Sequence, residues 1–128
     1  MGLGRPVRGP RAREGACRFA SGGIRLEPGS DPAEEADLLV RRLKMRKASH
    51  VSWACRTRSG GRTDEAKSDG GESGAGNVIL EVLRKAAAEN VLVAVARWYG
   101  GKHLGGLRFR VYSRLTSGTL RRLGSPSS

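Results

Sequence analysis

From Val91 to Ala96 the chain runs six apolar residues without a polar break, half of them β-branched. A strand with one wet face would alternate, so this run predicts a central strand covered on both faces. It continues through Arg97 and Trp98 into the glycine-rich stretch Tyr99-Gly-Gly-Lys-His-Leu-Gly-Gly106, which delivers basic and aromatic side chains to one end of the sheet. His50 to Thr57 does alternate, with Val51, Trp53 and Cys55 on one side and His50, Ser52, Ala54 and Arg56 on the other, and predicts a half-buried strand. Ser59-Gly-Gly61 is a turn, after which Arg62 to Ser68 can pair back as a hairpin partner. A shorter strand is expected from Ala16 to Ser21, extending through Ile24 and Leu26.

Three segments carry helical periodicity. Asp31 can cap a first helix with Pro32 in its first turn and Glu34 completing a capping box, followed by an apolar stripe of Ala36, Leu39, Val40 and Leu43. Its basic exit, Arg41 to Lys47, suits the negative end of the helix dipole and equally a binding patch. Asn77 can cap a second helix whose stripe is Ile79, Val82, Leu83 and Ala86, ended by Asn90. A third, from about Leu107 to Arg122, buries Leu107, Val111, Leu115 and Gly118 and leaves Arg108, Arg114, Arg121 and Arg122 in water. The order β-α-β-β-α-β-α groups strands in the middle rather than alternating them strictly with helices. It predicts an α+β fold with a mixed four-stranded sheet and helices packed on one face.

Charge changes the picture at the ends. The 128 residues hold 24 Lys and Arg against 12 Asp and Glu, a net charge of +12, enough to attract nucleic acid, ribosomes, acidic proteins or anionic lipid. Arg5, Arg8, Arg11 and Arg13 face only Glu14 among glycines and prolines, so residues 1–15 read as a disordered basic arm, or as an Arg-rich targeting segment that lacks serine. One domain is expected over residues 16–123, with a short tail at 124–128. Cys17 and Cys55 have neither a metal-ligand spacing nor the makings of a disulfide framework, which fits a reducing compartment. No run approaches transmembrane length, and a cytoplasmic monomer is the expectation.

Three stretches then combine: Lys47-Ala-Ser-His-Val-Ser-Trp-Ala-Cys-Arg56, Asp69-Gly-Gly-Glu-Ser-Gly-Ala-Gly76 and Arg97-Trp-Tyr-Gly-Gly-Lys-His-Leu-Gly105. In order and spacing they resemble the signatures of the IMPACT family, also called the YigZ-like or UPF0029 family, and lie nearer its eukaryotic branch. The resemblance spans about residues 16–123 and implies a ribosomal protein S5 domain 2-like fold. It also implies a part in translational regulation, restraining the amino-acid-starvation kinase pathway through a ribosome-associated protein partner. Gly70 departs from the family's Asp-Asp-Gly-Glu pattern, and Gly106-Leu107 from a Pro-Asp pair. The RWD domain that precedes this module in eukaryotic members is not expected within these 128 residues.

The working surface is expected to comprise His50, Asp69, Glu72, Arg97, Trp98, Tyr99, Gly100, Gly101, Lys102, Leu104 and Gly105, with no catalytic residue, cofactor or metal. His50 can titrate near neutrality or simply make a structural hydrogen bond at a strand end. Asp69 and Glu72 can act as acid and base or hold a divalent cation, or form a flexible solvated loop that caps the following helix. Arg97, Lys102 and His103 beside Trp98 and Tyr99 can clamp a phosphate or stack a base, or the glycines can merely shape a tight strand-to-helix turn. Beside the protein-binding module stand two alternatives: direct RNA or ribosome binding by basic surfaces, and a small hydrolase using His50, Asp69 and Glu72.

Overall fold

In the computed structural model, which describes residues 5–101 and 103–124, the elements run β1 (Val7–Arg8), β2 (Ala12–Glu14), β3 (Cys17–Arg25), α1 (Pro32–Arg42), β4 (His50–Ser59), β5 (Arg62–Ser68), α2 (Ala75–Lys85), β6 (Val91–Trp98) and α3 (Leu107–Leu123). The apolar run of β6 lies where its composition demands, in the middle of the sheet. On one side Arg18 to Arg25 of β3 pair with Trp98 to Val91, and on the other His50 to Arg56 of β4 pair with Arg97 to Val91. The chain is of the α+β class, but every ladder among the described residues is antiparallel and the sheet has six strands rather than four. β3, α1 and β4 form a split β-α-β unit. Its two strands run the same way and leave a gap that β6 fills in the opposite direction.

The two extra strands come from the segment expected to be a disordered arm. β1 pairs with β3 at Gly23 and Gly22, and β2 pairs with it from Phe19 to Cys17. They act as one edge strand interrupted around Pro10, which has no N–H to donate to a ladder. The break is closed by Gly9 N–H on Ser21 O at 2.9 Å and by the Ser21 hydroxyl on Pro10 O at 2.7 Å. Met1 to Gly4 of that arm and Ser125 to Ser128 of the tail lie outside the described residues.

Helices cover both faces of the sheet, not one. The α1 stripe (Ala36, Leu39, Val40, Leu43) packs on Ile24, Cys55, Leu92, Ala94 and Ala96, whereas α2 and α3 pack Ile79, Leu83, Val111, Tyr112 and Leu115 on Phe19, Ala54, Val93 and Val95. The alternation along β4 and β6 feeds the two cores separately, which is why β6 had to be apolar on both sides. Asp31 caps α1 as expected, its side chain accepting from Ala33 N–H at 3.0 Å.

Two helices stop in the same way. Lys44 donates to Arg41 O and Met45 to Val40 O, and Ala87 donates to Arg84 O and Ala88 to Leu83 O. In this Schellman geometry the turning residue is left-handed, and here it is Lys44 (φ 60°) and Ala87 (φ 51°) rather than glycine. The strain is removable. Ala87→Gly is expected to raise the unfolding free energy by about 0.5–1 kcal/mol, the left-handed penalty less the extra entropy of an unfolded glycine. Urea denaturation with an unchanged slope checks it, and a loss of stability would contradict the strain argument.

Candidate functional site

The last two residues of β6 point to opposite sides of the sheet, and this divides the expected surface. Arg97 faces the α2–α3 side and is only 4% exposed. Trp98 faces the α1 side, half-buried, with the Arg18 guanidinium 4.9 Å from its ring centre. His50, the register partner of Arg97, shares its side. Thus His50, Asp69, Glu72 and Arg97 are brought together, while Trp98 is separated from them by the thickness of the sheet.

Glu72 is the hub of that group. Its carboxylate accepts from Arg97 Nη1 at 3.1 and 3.0 Å and from the Tyr112 hydroxyl at 2.5 Å, and Arg108 Nε lies 3.1 Å away. Burial alone would raise its pKa, but the Tyr112 hydroxyl, the Arg97 guanidinium and the nearby His50 outweigh it and hold the carboxyl below its usual range. The same contact, together with burial, pushes the Tyr112 phenol up. Burial lowers Arg97, but Cys17 and Glu72 raise it further, so it stays charged. Arg97 Nη2 also donates to Cys17 Sγ at 3.6 Å. A guanidinium so engaged is not a phosphate clamp, and the expectation of an exposed Arg97 is corrected accordingly.

The loop that carries Glu72 is anchored rather than flexible. The Asp69 carboxylate accepts from Gly74 N–H at 3.1 Å and Gly76 N–H at 2.8 Å, so it caps α2 from a distance, and those two amides hold its pKa below the ordinary value. Asn77, expected as the cap, lies inside the helix, which begins at Ala75. The Ser52 hydroxyl donates to Asp69 O at 2.7 Å, and His50 Nδ1 lies 3.1 Å from Gly70 O. Gly70 is left-handed (φ +58°) and so close to β4 that a Cβ would overlap the Val51 carbonyl. A glycine at this position lets the loop lie flat on the strand and turn Glu72 inward. His50, Asp69 and Glu72 share this side of the sheet, with the Asp69 carboxylate engaged by two backbone amides and the Glu72 carboxylate by Arg97 and Tyr112.

The strand-to-helix loop is tied at its root and open at its tip. Tyr99 N–H donates to Ser49 Oγ at 2.9 Å and Gly100 N–H to Cys17 Sγ at 3.2 Å; Gly100 fits where a Cβ would overlap the Ala16 backbone. Tyr99 is 45% exposed and tilts against His103, ring centres 5.5 Å apart. Gly101 and Gly105 are exposed, and Leu104 packs against the α2–α3 core. Lys102 lies outside the described residues. Leu107, expected in the core, is 43% exposed, and Arg108, expected in water, leans over Phe109 toward Glu72. Tyr112 and Cys17 were missed as members of the cluster. A tyrosine on the apolar stripe of α3 was the available signal, since a buried phenol needs a partner.

Residues 24–120 match the family model of the Impact N-terminal domain. The chain belongs to this family. Over 76 residues it is 43% identical to the protein IMPACT homolog of Saccharomyces cerevisiae, a match covering 58% of this chain and 30% of that protein. With the protein IMPACT homolog of Schizosaccharomyces pombe it shares 36% identity over 93 residues, 72% of this chain and 33% of the relative. The chain therefore spans about a third of the length of these curated relatives. The two-domain translational regulator Yih1 superposes on 91% of it with a TM-score of 0.53 and 30% identity, over 45% of Yih1. A crystal structure of a hypothetical protein matches 96% of it with a TM-score of 0.67 at 22% identity, over 58% of that chain, and shows the fold alone. As an Impact N-terminal domain, the chain has Glu72, Arg97, Arg108 and Tyr112 inside the matched region and Cys17 just before it.

Both loop carboxyls titrate below their unfolded values. They therefore add stability that is complete above about pH 4.3 and is lost as the pH falls through their depressed folded values. Glu72→Gln removes the carboxylate that pairs with the buried Arg97 and is expected to cost about 3–5 kcal/mol at pH 7, a gap that narrows below pH 4. Urea titrations across pH 2–7 check this; a constant gap would contradict it.

Proposed function

We propose that this Impact N-terminal domain is a non-catalytic module of translational regulation that works through a protein partner. The reading rests on one observation above the others: nearly the whole chain superposes on the translational regulator Yih1 at 30% identity. In its finer form, the module restrains the amino-acid-starvation kinase pathway by engaging a ribosome-associated protein in the cytoplasm. Among the described residues no helix is long and apolar enough to cross a membrane.

The contact surface that suits this reading is the outer side of the strand-to-helix loop, not its buried root. Tyr99 and Leu107 are the exposed large apolar side chains of the described residues, with His103 against the tyrosine and Gly101 and Gly105 leaving the backbone open. An exposed tyrosine is the kind of anchor that carries binding energy in protein interfaces, and Leu107 adds apolar area at the same loop. Glu72 and Arg97 hold this surface in place from beneath, and His50 and Asp69 pin the adjoining loop.

Affinity capture from a translationally active lysate, with and without nuclease, tests the reading. Capture of translation-machinery proteins is expected to survive nuclease and to fall about tenfold or more for the double variant Tyr99→Ala, Leu107→Ala. Capture unchanged by that pair would contradict the surface, and capture abolished by nuclease would contradict a protein partner. Charge reversal at Arg97 is unsuited to the purpose, because it would place two carboxylates together in the core.

A further inference from the structure

On the other side of the sheet, the residues expected to be a loose basic arm build a groove. It measures about 730 Å³ and is lined by Arg8, Arg11, Arg13, Arg18, Lys44 and Trp98, beside Ala20 of β3 and the apolar residues that follow α1. We propose that this groove binds single-stranded nucleic acid, its phosphates on the arginines and a base on the Arg18–Trp98 stack. The inference is independent of the protein-partner reading, since it uses other residues.

Three observations converge on it. First, Arg13 pairs across the ladder with Arg18, and Arg18 with Trp98, which sets two guanidiniums and an indole in one row over three strands. Like charges directly opposite each other on a sheet are destabilising, and no carboxylate lines the groove among the described residues to relieve them. A polyanion would relieve them. Second, Arg18 over the Trp98 ring at 4.9 Å makes a flat cationic platform, the kind of surface on which an unpaired base stacks whatever its sequence. A base inside a duplex could not reach it. Third, Lys44, which lines the groove, holds a left-handed turn where glycine would be less strained. Arg8 Nη1 meanwhile donates to Leu43 O at 3.2 Å, tying the arm to the end of α1 so that the two walls hold a fixed spacing. Arginines, with forked donors suited to phosphate, beside an indole favour a polynucleotide over an acidic peptide, which offers no ring to stack.

The test uses the full chain and fluorescein-labelled 12-mers of single-stranded RNA and DNA, with a 12-base-pair duplex and polyglutamate as competitors. If about four phosphates are engaged, affinity for single strands should fall about twentyfold between 100 and 300 mM KCl. Arg11→Glu with Arg13→Glu should weaken it about tenfold or more. Arg110→Glu with Arg114→Glu, an equal charge change on exposed positions of α3, should weaken it less than about threefold. Lys44→Gly separates folding from binding: its melting temperature should hold or rise while the salt slope drops by about 0.7. The proposal is overturned if the α3 pair weakens binding as much as the groove pair, if Lys44→Gly binds with an unchanged slope, or if no salt-dependent binding is found. It is equally overturned if polyglutamate or the duplex competes as well as the single strand, which would assign the groove to an acidic protein segment or to paired nucleic acid.

Discussion

A single buried carboxylate, Glu72, meets three groups from two separate parts of the chain: Arg97 at the end of β6, and Tyr112 and Arg108 on α3. With the Asp69 cap it ties the loop before α2 to the central strand and to the closing helix. A charge pair this deeply buried is a poor source of net stability by comparison with apolar packing, because both ions lose their water. Its value lies in geometry. Any other placement of the loop, or of the α3 start, would leave a guanidinium or a carboxylate unpaired, so alternative arrangements are excluded by several kcal/mol each.

That constraint explains how the domain can present two different surfaces around one strand end. The α2–α3 side uses its charges internally, around Glu72, and offers an aromatic and aliphatic edge outward at Tyr99 and Leu107. The α1 side keeps its charges in water: the Arg13–Arg18 pair and Lys44 lie about Trp98, with no carboxylate lining the groove among the described residues. Consecutive residues Arg97 and Trp98 belong to opposite surfaces for no deeper reason than the pleat of a strand.

What could be seen in the chain beforehand followed the strength of the local pattern. The unbroken apolar run of β6, the alternation of β4 and the Asp31–Pro32 start of α1 each have a mechanism confined to a few neighbours, and all were legible. The α+β class and the family followed from them and from the three linked stretches. The pairing of Arg8 and Arg13 with β3 was not legible, because a short edge strand rich in Arg, Gly and Pro carries no periodicity and is ordered only by its neighbour. Helices on one face was the wrong choice even though β6 argued for cover on both; element order does not say over which face a connection passes. Arg97 read as a surface cation because its partner lies 25 residues away on a loop that itself read as solvated. Asp69 as the cap of α2 was equally hidden, since capping is normally sought next to the helix and here comes from before the loop.

If Glu72 is the point on which the loop, the strand end and α3 depend together, its bonds must be coupled and not merely adjacent. A double-mutant cycle between Glu72→Gln and Arg97→Met, read by urea denaturation at pH 7, measures this directly. The account predicts an interaction free energy of about 2–3 kcal/mol, with the double variant losing far less than the two single losses added together. Losses that add to within about 0.5 kcal/mol would mean that the two residues stabilise the fold separately, and would contradict it.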